Sequence, residues 1–214
     1  MNSRVVFVLV LVLGTAWPGF AQKVSGAGGA TEEQMLAVPK AYFGDVVLVD
    51  QNGRQLQFFS DLMRDHVIVV TPFFTRCKNV CPMLTHMMRQ AQDELGEIFG
   101  RDVLFLSLST DPEYDTPAVI LEYTKPMGIK PGWHFLTGDP ANVEYIHRKF
   151  GFVLPSESEM PLPEQHSTKM YIMKAKTGIR IATGSAKMTP QCLVKQLRWA
   201  IADTIDKEVV APQC

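Results

Sequence analysis

Two cysteines separated by three residues, in Cys77-Lys78-Asn79-Val80-Cys81-Pro82, are the part of this 214-residue chain best suited to chemistry. A run of β-branched residues precedes them, and apolar residues at helical spacing follow from Pro82, so the pair occupies a strand-to-helix loop. Unpaired backbone N–H groups at a helix start favour thiolates. Two adjacent thiolates can act as soft ligands for Cu(I), or they can lose two electrons and close a disulfide. They cannot do both at once, so metal binding would be gated by redox state. The C-x-x-x-C spacing is also compatible with a static disulfide or with inert buried thiols. Its place in the loop favours a redox or metal role.

A structural zinc site needs four protein ligands, and no second Cys or His pair has zinc-finger spacing. Cu(I) can be held by two thiolates and one imidazole, which leaves five histidines to weigh. His86 follows Cys81 by five residues, about 140° around a helix at roughly 100° per residue, and should face elsewhere. His66, His134 and His147 have no partner signature and suit strand-edge or surface positions. His166 follows a loop containing Pro155, Pro161 and Pro163, which could present it over the cysteines. Met83, Met87 and Met88 have soft thioethers, but their spacing predicts a helix face packed on a sheet. Asp111 after the next buried strand either starts a turn or tunes the cysteine loop. Cys192 and Cys214 carry no motif, and a disulfide between them requires the tail to fold back.

The elements that must position these groups follow from periodicity. Residues 46–49 and 55–59 flank Asp50-Gln51-Asn52-Gly53 and predict a β-hairpin. Residues 66–74 and 103–108 read as buried strands, with a helix over 82–99 between them and another opening at Asp115-Thr116-Pro117. A helix over 140–150, a hairpin of residues 169–173 and 179–183, and a closing helix from Thr189-Pro190 through Ile205 complete the order. This is an α/β, thioredoxin-like mixed sheet flanked by helices, with an N-terminal β-hairpin.

Composition sets the outer bounds. The apolar content of 46% is ordinary for a globular chain. A net charge of −1 without a basic cluster argues against a nucleic-acid partner. The first 21 residues have a positive start, a short apolar run over 5–13 and small residues before a cleavage point after Ala21, which predicts a secretory signal. The expected organisation is a signal over 1–21, a flexible segment over 22–40, a folded domain over 41–207 and a tail over 208–214. Such a protein is periplasmic or otherwise exported and soluble after cleavage. An uncleaved signal or a partner would be its only link to a membrane.

Four ordered blocks stand out along the chain: Phe74-Thr75-Arg76-Cys77-Lys78-Asn79-Val80-Cys81-Pro82, Ser109-Thr110-Asp111-Pro112-Glu113-Tyr114-Asp115-Thr116-Pro117, Phe135-Leu136-Thr137-Gly138 and His166-Ser167-Thr168. Through them the chain resembles the Sco/SenC family of copper proteins that assemble cytochrome c oxidase. The resemblance implies that Cys77, Cys81 and His166 bind copper, as Cu(I) or Cu(II), on a thioredoxin-like fold. It further implies delivery to the oxidase subunit carrying the CuA site, with a copper donor or a thiol reductant upstream. Lys78-Asn79 departs from the Pro-Asp common in that family, replacing a carboxylate with an amide and adding a cation beside the sulfurs. A thiol-disulfide oxidoreductase would use the cysteine pair without needing His166. A peroxidase fits poorly, because Pro72, Thr75 and Cys77 are too closely spaced for the Pro-x-x-x-Thr-x-x-Cys arrangement of peroxiredoxins.

Overall fold

A computed structural model describes residues 31–78, 80–152, 169–184, 188–202 and 212. The expected signal over 1–21, the Gly-rich stretch up to residue 30, Asn79, and the Pro-rich loop with Met160 and His166 lie outside these residues. So does the tail over 208–214 apart from Pro212.

The centre of the molecule is β3 (Val67–Phe73), whose burial on both faces is dictated by its near-continuous apolar run. Val67 and Val69 face one core, and Ile68 and Val70 face the other. The crossover helix α2 (Val80–Leu95) returns the chain to β4 (Val103–Ser109), which pairs with β3 in parallel from Val67↔Val103 to Phe73↔Ser109. Helix α3 (Pro117–Thr124) then leads to β5 (Trp133–Leu136), parallel to β4. Helix α4 (Pro140–Phe150) precedes β6 (Lys169–Lys174), which adds antiparallel on the other side of β3, and β7 (Ile179–Gly184) pairs antiparallel with β6. The sheet order is β5-β4-β3-β6-β7. The closing helix α5 (Pro190–Ile201) packs with α2 on one face, burying Leu84, Met88, Leu193 and Leu197 there.

The opposite face is covered by α4 and by the N-terminal elements. The hairpin of β1 (Val47–Val49) and β2 (Gln55–Gln57) forms as expected. Its turn is closed by buried Asp50, which accepts the N–H groups of Asn52 and Arg54, while Gly53 takes a φ of 78°. Phe58 and Phe59, expected to continue the second strand, instead begin a π-helical turn over Phe58–Met63. A strand would point alternate residues to opposite faces, whereas Phe58, Phe59, Leu62 and Met63 are all buried in one core.

The flexible segment expected over 22–40 is not borne out over 32–40, nearly half of it, because α1 (Glu32–Phe43) begins there. Thr31 and Gln34 form a reciprocal capping box, and Glu32 and Glu33 favour the helix start. Phe43 docks the helix, its ring 5.7 Å from Phe58 and 5.2 Å from Phe150. Only Phe43 of α1 is fully buried and Pro39 interrupts it, so the apolar periodicity that signals a helix is weak. The helix expected over 82–99 ends at Leu95, where Gly96, with a φ of 60°, opens a short 3-10 turn.

Candidate metal and redox site

Parallel pairing of β3 and β4 brings their ends to one edge of the sheet, so the loops after Phe73 and Ser109 emerge side by side. The first carries Cys77, and the chain then enters α2 with Cys81 in its opening turn. A tight turn, Cys77 N–H to the Phe74 carbonyl at 3.1 Å, folds the loop back on the strand end. The Cys81 backbone N–H donates to the Cys77 sulfur at 3.3 Å. Both thiols are free and half-buried.

Burial pushes the Cys81 thiol up to about 12, with its hydrogen bond to Cys77 and the Cys77 charge acting in the same direction. The Phe74 N–H partly offsets this, and the negative charge of Asp115 adds to it. Cys81 therefore rests as a neutral thiol until something cationic, or a reaction at Cys77, takes over the role of its proton.

The second loop braces the first. Asp115 is fully buried and accepts from the Thr75 N–H at 3.2 Å, from the Thr75 hydroxyl, and from the Ser109 hydroxyl at 2.6 Å. Burial raises the Asp115 carboxyl above the usual range, and these hydrogen bonds oppose that shift. Asp111 starts the expected turn and also reaches the cysteine loop. Its carbonyl closes the turn by accepting the N–H groups of Tyr114 and Asp115, and its carboxylate pairs with Arg76 beside Cys77. The Arg76 guanidinium also lies 4.2 Å from the centre of the Tyr114 ring.

Sequence reasoning placed Asp115 at a helix start and missed this brace. Thr116 is the residue that caps α3, its hydroxyl accepting the Val119 N–H, which frees Asp115 to turn inward. Three donors converging from two loops on one carboxylate is a tertiary fact with no local signature.

Other expectations divide. His86 is exposed on α2, with Nε2 3.0 Å from the Gln90 amide. His147, expected at an ordinary surface or strand edge, is fully buried, its Nε2 2.7 Å from the Ser109 carbonyl, and burial lowers its imidazole to about 4. His134 is nearly buried, with Nδ1 3.5 Å from Asp50, and its pKa is lowered by burial against the opposing effect of that carboxylate. Met88 is core and Met87 packs against it, but Met83 is 59% exposed. The buried stripe of α2 runs through Leu84, Met88, Ala91 and Leu95, and Met83 stands one residue, about 100°, off that line.

Cys192 is disulfide-bonded, and the Gln196 amide donates to the Pro212 carbonyl at 3.3 Å, while Cys214 lies outside the described residues. Among the described residues no three His, Cys, Asp or Glu side chains come together as a metal site, and His166, the expected third ligand, lies outside them. A groove of 690 Å³ runs along β5 and α3, lined by Gln51, Arg54, Lys130 and Trp133 among others, and does not include the cysteines.

Comparison with known proteins adds to this geometry. A family model described as SCO1/SenC matches residues 19–202. An SCO2-like protein of Rickettsia felis is 33% identical over 110 residues, covering 50% of this chain and 50% of that protein. The chain thus spans about half the length of the curated relatives it matches. Among solved structures, Arabidopsis thaliana ScoI with copper bound superposes with a TM-score of 0.56 at 25% identity, covering 71% of this chain and 92% of that one. BsSco, a member of the Sco family of cytochrome c oxidase assembly proteins in which a disulfide switch was identified, shares the fold. Its TM-score is 0.61 at 21% identity, over 73% of this chain and 91% of that one.

Proposed function

From the premise that the chain belongs to the SCO1/SenC family, we propose that it is an exported copper carrier that takes up the metal through Cys77, Cys81 and His166. Its cargo passes to the CuA centre of cytochrome c oxidase. The observation that carries this reading is the pair of reduced sulfurs joined through the Cys81 N–H at the start of α2.

The donor set suits the ion. Two thiols on a short loop supply soft ligands, and an imidazole from a separate segment completes a three-coordinate Cu(I) site. A metal cation replaces the two thiol protons, which pass to solvent, and relieves the cost of charge on half-buried Cys81. The brace from Asp111 and Asp115 holds the cysteine loop before metal arrives, so that loop needs little ordering in the binding step. Half-burial of both sulfurs leaves room for ligand exchange with an acceptor. The copper-bound Arabidopsis relative supports the choice of metal.

Titration of the reduced domain with Cu(I) and with Cu(II), read by stoichiometry and sulfur-to-copper absorption, tests the proposal. One copper per chain is expected, lost in Cys77→Ser, Cys81→Ser and His166→Ala and after oxidation of the pair. Full copper retention in these variants would remove it.

A second reading, a thiol-disulfide oxidoreductase that keeps the acceptor's cysteines reduced, is favoured by one observation: the two sulfurs are held in different environments, with Cys81 resisting ionisation. Cys77 thiolate would attack an acceptor disulfide and release one acceptor thiolate. Cys81 would then give its proton to solvent and attack the Cys77 sulfur, releasing the second acceptor thiolate as two electrons leave the pair. Function retained in His166→Ala but lost in both cysteine variants would select this reading.

A further inference from the structure

Of the eight large apolar side chains that stand exposed among the described residues, five share one surface: Met35, Val38 and Tyr42 of α1, Val47 of β1 and Tyr145 of α4. Hydrogen bonds join its parts. The Tyr145 hydroxyl donates to the Tyr42 carbonyl, and the Tyr42 hydroxyl to the Lys149 carbonyl, each at 3.1 Å. The Asn142 amide, one turn before Tyr145, donates to the Val47 carbonyl at 3.1 Å. The Lys149 ammonium stands 4.3 Å from the centre of the Tyr42 ring and 4.8 Å from that of Tyr145. A contiguous exposed apolar patch of this kind marks a surface that something covers.

Helix α1 is the heart of the patch, and its pattern is inverted. At about 100° per residue, Gln34, Met35, Ala37, Val38, Ala41 and Tyr42 fill one arc of roughly 160°. All six are exposed and none is charged. A solvated helix face ordinarily carries its charges there. The side toward the core is served by Phe43 and by Leu36, and the charged residues Glu32, Glu33 and Lys40 lie outside the arc.

Those charges identify what covers it. Glu32 is held by Lys176 at 2.7 Å, whereas among the described residues neither Glu33 nor Lys40 is in an ion pair. Glu33 and Lys40 are seven residues apart, two turns along the same edge of the arc, too far to meet within one helix. A second α1 laid antiparallel and crossing near Ala37 sets Glu33 of each copy against Lys40 of the other. A parallel copy would set like charge against like. Ala37 and Ala41 let the two backbones approach closely. A lipid surface suits the arc less well, because interfacial helices are rich in lysine and arginine and α1 has two glutamates to one lysine.

We infer that the outward arc of α1 is a two-fold interface through which two copies of this chain pair, antiparallel about Ala37, with Tyr145 and Val47 at its rim. Such an interface is isologous, so each contact is made twice. Helices α1 and α4 pack on one core and α2 on the other, across the sheet, so pairing leaves both cysteine loops open.

The test is analytical ultracentrifugation of the reduced, metal-free protein, as recovered after export, over a wide range of concentration. A reversible shift from the mass of one chain to that of two is expected. Val38 is 75% exposed, so Val38→Lys should leave the thermal midpoint of the dilute protein unchanged. It sets an ammonium inside the interface and should raise the dissociation constant about tenfold or more. Glu33→Lys puts like charges together at both ends and should raise it about 3- to 10-fold. Adding Lys40→Glu to Glu33→Lys reverses both pairs and should restore the wild-type value.

A single-chain mass at every concentration would overturn the inference. So would a two-chain mass that Val38→Lys leaves unchanged, or a charge reversal that restores nothing. Single-chain protein that sediments with phosphatidylcholine–phosphatidylglycerol vesicles, and ceases to in Val38→Lys, would overturn it and give the arc to lipid. No metal enters these measurements, so failure of the copper reading leaves the pairing standing.

Discussion

The Cys77 sulfur lies 3.3 Å from the Cys81 backbone nitrogen and accepts its N–H, so the first cysteine is fastened to the opening turn of the helix that carries the second. The sulfurs are thereby held in unequal settings. Cys81 depends on burial, on Asp115 and on a neighbouring thiol for its resistance to ionisation. Cys77 meets a backbone donor in the loop.

This inequality predicts the order of reaction. Iodoacetamide at pH 8 should alkylate Cys77 at least about tenfold faster than Cys81, since the thiolate is the reactive species. Peptide mapping after a timed quench measures both rates, and equal rates would contradict the assigned environments.

Asp115 makes a prediction with a sign. Its folded-state carboxyl is raised by burial, so the folded state holds that proton more tightly than the unfolded state. Its contribution to stability is present below the unfolded carboxylate range and is lost as pH rises through the raised folded value. In Asp115→Asn that component of the pH profile should vanish. Asp115→Ala, which leaves the donors of Thr75 and Ser109 unmatched, should cost about 2–4 kcal/mol in urea unfolding.

His147 has the opposite sign. Its folded imidazole is lowered from 6.5 to about 4 by burial beneath the Ser109 carbonyl. The neutral form is preferred in the fold, so its stabilising contribution is full above the unfolded value and is lost as pH falls through the folded one. About 3 kcal/mol should disappear between pH 6.5 and 4, and His147→Gln should flatten that part of the unfolding curve.

Lys78 is exposed beside Cys77 and places a positive charge where a metal cation arrives. Replacing Lys78 with Pro and Asn79 with Asp removes the cation and adds a carboxylate. Cu(II) affinity in a competition titration should rise at least about tenfold. Unchanged or weaker binding would refute the opposing role assigned to the Lys78 charge.

Much of the architecture was legible because local chemistry and tertiary packing agree. The apolar run of β3 can only be an interior strand, and the turn chemistry of Asp50 and Gly53 announces its hairpin. The cysteine loop was legible for the same reason, as a break between a period-2 pattern and a period-3.6 pattern. Helix α1 was not, because one buried phenylalanine and a capping box hold it rather than an apolar stripe. Strand β5 was missed as an element: its four residues are too short a run to show a period, and pairing with β4 is what makes them a strand.

The residues alone determine which atoms are available: two thiols with three residues between them, a histidine far along the chain, and a lysine next to the first thiol. They do not determine what surrounds those atoms. Only the parallel register of β3 and β4 brings Asp111 to Arg76 and Asp115 to Thr75, across separations of 35 and 40 residues. Only the packing of α3 against the strand ends stacks Tyr123 on Phe73 and sets it against Phe135. Sequence carries identity and local periodicity, whereas desolvation and the charges that set reactivity depend on distances between segments that meet only when the sheet has formed.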